Sequence, residues 1–166
     1  MLRIELKDDE ISAALARIAA AMTDMTPVMQ EIGEALVIST QDRFTESVSP
    51  DGTAFAPRSP TTLDAYKARG DVVDFRPLIG PSKALSGTIF PHAGADFVEV
   101  GSGREYAAVM QFGAAKGAFG RTKRGAPIPW GNIPARPFLG LSEQDRLNIV
   151  DVVEEWLEGV AKGGST

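Results

Sequence analysis

The sequence contains no cysteine and a single histidine, His92. The first absence excludes a disulfide framework, a thiolate nucleophile and cysteine-ligated metal. The second excludes a histidine-rich metal centre and leaves a Ser–His–Asp triad one base to use. That base follows Pro91 at an expected hairpin tip, where it would be poorly shielded. Phosphate loops are missing too: Gly101-Ser102-Gly103 leads into neither GK[ST] nor GxGxxG. Asp71 and Asp74 share a turn-like segment and read as solvated loop carboxylates before they read as a cation site. No window approaches the roughly 18 apolar residues of a membrane span. The opening stretch MLRIELKDDE lacks the apolar run of a signal peptide. The expectation is a protein without cofactor or metal, not an enzyme, made and used in reducing cytosol.

What is present is enough for one domain over residues 1–166 with a real core. The net charge of −5 hides a division along the chain. Residues 1–50 carry four basic and nine acidic side chains, residues 51–140 eleven and seven, and residues 141–166 two and six. The middle also holds 13 of the 17 glycines and 9 of the 11 prolines, so two acidic helical ends flank a basic, turn-rich centre. Solvated helix faces explain this division. So do surfaces of opposite sign that meet between copies of the protein.

Periodicity gives the elements. Leu2, Ile4 and Leu6 alternate with Arg3, Glu5 and Lys7 as a short strand over 2–7. Asp8 or Asp9 caps a helix with the stripe Ile11, Leu15, Ile18, Met22. Thr26 as cap, with Pro27 at the first helical position, starts a long helix over 26–47 that "SPDG" at 49–52 terminates. "SPTTLDAYKARG" reads as one short helix. Residues 83–91 and 95–101 read as strands, and "REYAAVMQFG" as a helix stopped by Gly113. Residues 135–140 are assigned to the same sheet. Ser142 and Asp145 form a capping box for a helix over 142–160, whose stripe Ile149, Val153, Trp156, Leu157, Val160 should pack on the sheet. Residues 161–166 are a fraying tail. Residues 114–131 hold four basic groups and no acid, and their glycines suggest a mobile loop. The expected fold class is α+β: a small antiparallel sheet against a long N-terminal and a C-terminal helix, with that mobile basic loop.

Four stretches, in order, carry a resemblance: "SPDGTAFAP", "LIGPSKALSGTI", "YAAVMQFG" and "IPARPFLGLSEQD". They resemble motifs of the virion morphogenesis, or tail completion, family of Mu-like phages over nearly the whole chain. Met110 stands where that family commonly has histidine, and Phe55 where it commonly has tryptophan. The resemblance implies a structural α+β protein that assembles as a hexameric ring at the head-proximal end of a tail or at the neck. It implies tail tube, tail terminator or neck proteins as partners, and residence in the host cytoplasm during assembly and then in the virion.

On this reading Arg136, held between Pro134 and Pro137 beside Phe138 and Leu139, is offered to a neighbouring subunit. The alternative keeps Arg136 inside the subunit, bridged to the acidic C-terminal helix. Arg104, Lys116, Arg121, Lys123 and Arg124 complete the interface candidates. The last four could instead neutralise phosphates, with Phe119 stacking on a base, which makes direct nucleic-acid contact the second reading.

Overall fold

The computed structural model describes residues 8–72 and 74–163. Helix α1 spans Asp9–Ala21 and α2 Thr26–Glu46; α3 spans Pro60–Ala68. A 3₁₀ turn at Ser86–Thr88 leads into strand β1, Ile89–Ala93, which pairs antiparallel with β2, Val98–Ser102. Helices α4, Ala107–Phe112, and α5, Glu143–Lys162, follow. The α+β class holds, with a two-stranded sheet in which Pro91 faces Val100 and His92 faces Glu99.

Local chemistry sets these limits. Asp8 caps α1 by accepting from the Ile11 amide at 3.2 Å. The start of α2 departs from expectation. Thr26 is already helical and Met25 is the cap residue, while Asp24 holds the turn by accepting from the Thr26 amide and hydroxyl. Ser142 and Asp145 make the expected reciprocal box at α5. That helix continues through Lys162, so residues 161–162 belong to it; residues 164–166 lie outside the described residues.

Helix α2 is the shared wall of two apolar clusters. At its C-terminal half, Phe44 packs with Phe55, Leu78, Ile79, Leu85, Ile89, Ala107 and Phe138. The Phe44 and Phe138 rings lie 5.1 Å apart. At its N-terminal half, Val28 and Ile32 pack with Trp156 and Val160 of α5. Trp156 therefore docks on α2, and the sheet reaches that cluster through Val98. Gly33 lets α2 lie against the sheet: a Cβ there would sit 2.7 Å from Cβ of Pro91.

The expected strand over 95–101 begins only at Val98. Residues 2–7 fall outside the described residues. Residues 135–140 belong to no ladder and end in a bend at 139–140; Pro134 and Pro137 bring no amide hydrogen to pair with a neighbour. The 83–91 strand is shortened to Ile89 onward, since Lys83 takes a positive φ and Thr88 turns back to donate to the Ala84 carbonyl at 2.7 Å.

Candidate interface groove and basic arm

The segment 133–140 is fixed by side chains rather than by a sheet. Gln111 of α4 acts as a clamp: its Oε1 accepts from the amides of Phe138 and Leu139, both at 3.0 Å, and its Nε2 donates to the Leu139 carbonyl. The Arg136 amide donates to the Met110 carbonyl at 2.8 Å. Phe138 is then wholly buried. Beyond it, Arg43 of α2 donates to the carbonyls of Phe138 and Gly140 and to the carboxylate of Asp145. Asp145 also accepts from Ser39 Oγ, Ser142 Oγ and the Ser142 amide. Burial pushes the Asp145 carboxyl up, but the hydrogen bonds from Ser39 and Ser142 and the Arg43 charge outweigh it and leave the pKa lowered.

Arg136 is buried, with only 6% of its surface exposed. Its Nε donates to the Ala56 carbonyl at 2.6 Å and its Nη2 to the Pro57 carbonyl at 2.8 Å. The alternative that pairs it with the C-terminal helix is corrected: Arg43 holds that position and Arg136 ties down the 53–59 loop. Burial, and then the charge of nearby Arg58, lower the Arg136 pKa. Arg58 donates to the carbonyls of Arg76 and Ile79 and to the Tyr66 hydroxyl. Its guanidinium lies 5.3 Å from the centre of the Tyr66 ring.

These two arginines border a groove of about 540 Å³ between α3, the 77–85 loop, α4 and the 132–136 segment. Tyr66, Leu78, Tyr106 and Met110 supply its apolar wall, and among the described residues no Asp or Glu lines it. Arg104 sits at the Ala84 end and donates to that carbonyl at 3.4 Å.

Residues 114–133 form an arm closed by backbone pairing. Bridges link Ala114 to Ile133 and Arg121 to Pro127, and the amides of Gly117, Phe119 and Ile128 donate across to Pro129, Ile128 and Gly120 carbonyls. The expected loop is thus a hairpin-like excursion. It leaves the body at Gly113, whose φ is +74° and whose α-carbon approaches the Ile133 carbonyl too closely for any side chain. Arg121, Lys123 and Arg124 gather at the exposed tip, with Lys116 nearer the base. Phe119 and Trp130 are exposed along the arm, Trp130 to 80%, and Phe112 is exposed at the end of α4 beside its base.

The other sequence candidates resolve simply. Asp74 pairs with Arg76, whose hydrogen bond lowers its pKa to about 2, and Asp71 pairs with Arg69. Among the described residues no cluster of His, Cys, Asp or Glu could hold a metal, and no helix is long and apolar enough to cross a membrane. Sequence reasoning missed Arg43, Asp145 as its partner, and Arg58. Arg43 carried a signal, since it continues the inward stripe of α2, in which Ile32 and Thr40 are buried and Leu36 half-buried, and a charge there needs a partner. Arg58 lies in a loop whose sequence has no period to read.

A model of the phage virion morphogenesis family matches residues 6–158. The chain is also similar to Mu-like prophage FluMu G protein 2 of Haemophilus influenzae, with 28% identity over 163 residues, covering 98% of this chain and all of that protein. No solved structure matches.

Proposed function

Because the chain belongs to the phage virion morphogenesis family, we propose that it is a structural assembly protein that completes the tail, or joins tail to head, as a ring of subunits. The carrying observation is the extent of the family match, which takes in α1 through α4 and most of α5. The division of charge supports the ring. A closed ring needs two different, complementary patches on each subunit, and the acidic α5 and the acid-free groove supply opposite signs. Tail tube, tail terminator or neck proteins are the proposed further partners, met in the host cytoplasm and retained in the virion.

The test is deletion of the gene from its phage or prophage. Heads and tails should accumulate unjoined, or tails should be incomplete, and the protein supplied in trans should restore whole particles. Normal particles from the deletion would overturn the reading.

The arm supports a second reading, a nucleic-acid-binding accessory protein. Its tip brings together Arg121, Lys123 and Arg124 with exposed Phe119, a pairing of cations and aromatic suited to single strands. Sedimentation with and without DNA separates the two: a salt-sensitive shift with DNA favours this reading, and self-association without DNA favours the first.

A further inference from the structure

Arg43 and Arg136 are both buried, yet only Arg43 has a carboxylate. Among the described residues no acidic side chain forms a salt bridge with Arg136. Its Nη1 donates to no atom of the described residues. Even so, no side-chain nitrogen of the described, non-exposed residues is both buried and unpartnered. Nη1 therefore reaches open space, and Arg136 is one of the residues that line the groove. A second cation, Arg58, stands close enough to depress the Arg136 pKa. The groove is thus a partly desolvated cavity with an unspent guanidinium edge, excess positive charge and no acid in its wall. Such a site favours an anion, and a carboxylate fits the guanidinium fork best.

We propose that this groove receives an acidic side chain from α5 of a second copy of the chain. The inference rests on the self-association reading above. Asp151, Glu154, Glu155 and Glu158 recur at i, i+3, i+4 and i+7, so they share one face of α5. All four are exposed, on the side away from Trp156 and Val160. Among the described residues only Glu158 has an ion-pair partner, Lys162 one turn on. The ridge and the groove are different patches of one subunit, so the contact is head-to-tail and repeats from copy to copy. Tyr66, Tyr106 and Met110 offer apolar surface to the stems of the entering glutamates.

The chain's lack of cysteine makes the test clean. Ser82→Cys at the exposed groove rim is combined with Glu155→Cys on the ridge, and the full-length protein is oxidised at high concentration and in assembled particles. The expected product is a ladder of dimers, trimers and higher species. Ser82→Cys with Ser12→Cys on α1 should give at least tenfold less. Reversing Asp151→Lys and Glu154→Lys in the ladder-forming background should also reduce the ladder at least tenfold. Those residues lie outside the core, so the fold is retained. Arg136→Gln should do the same where its melting curve shows a folded subunit. Particles that contain the protein but give no ladder would overturn the groove contact while leaving the assembly role standing. A ladder indifferent to the charge reversals would overturn the carboxylate as its basis.

Discussion

Arg43 and Asp145 lie 102 residues apart in the chain and form an ion pair sealed from solvent between α2 and α5. The same carboxylate closes the capping box of α5, and the same guanidinium binds the carbonyls that follow the arginine-proline segment. One contact therefore sets the angle of α5 and the end of the 133–140 segment together.

Asp145→Asn should destabilise the subunit by about 3–5 kcal/mol, the usual cost of stranding a buried charge. Equilibrium urea denaturation measures it. The pH dependence has a definite sign. The folded pKa of Asp145 is lowered, so its contribution is complete above the unfolded carboxylate value of about 3.9. It is lost as the pH falls through the lower, folded value. The wild type should lose stability over that acidic range more steeply than the asparagine variant.

Trp156→Ala should cost about 3–5 kcal/mol, because the indole fills the cluster shared with Val28, Ile32 and Val160. A loss under about 1 kcal/mol in reversible denaturation would show a helix free to repack.

Two helical glycines should respond to alanine with opposite sign. At Gly159 an added Cβ meets nothing within 4 Å. Gly159→Ala should therefore stabilise by about 0.5–1 kcal/mol through helix propensity. At Gly33 the same atom collides with Pro91. Gly33→Ala should cost about 1–3 kcal/mol through overpacking of α2 on the hairpin. Paired thermal melts decide both.

Gln111→Leu should orphan the amides of Phe138 and Leu139, at about 1–3 kcal/mol for each group left without a partner. Hydrogen exchange at those two amides should accelerate more than exchange within α5.

Periodic elements were legible in the sequence. The α5 stripe, its capping box, the Asp8 cap and the latter part of the 95–101 strand stood in the spacing of apolar and polar residues, which burial itself imposes. Side-chain replacements for backbone pairing were not. Nothing local says that Gln111 will bond to two amides 27 and 28 residues away, or that Arg136 will bind carbonyls 79 and 80 residues back. Such contacts depend on tertiary placement alone. The arm shows the same limit from the other side. Its glycines suggested a loop, yet those with positive φ form the turns of its ladder.

Helix α2 is the common wall of both apolar clusters. Removing it opens each, and opening either strips one side of it. Because the two clusters share this wall, equilibrium denaturation should show both ends unfolding as one cooperative unit. A pull on α5 is therefore passed through α2 to the cluster on the opposite side of the fold.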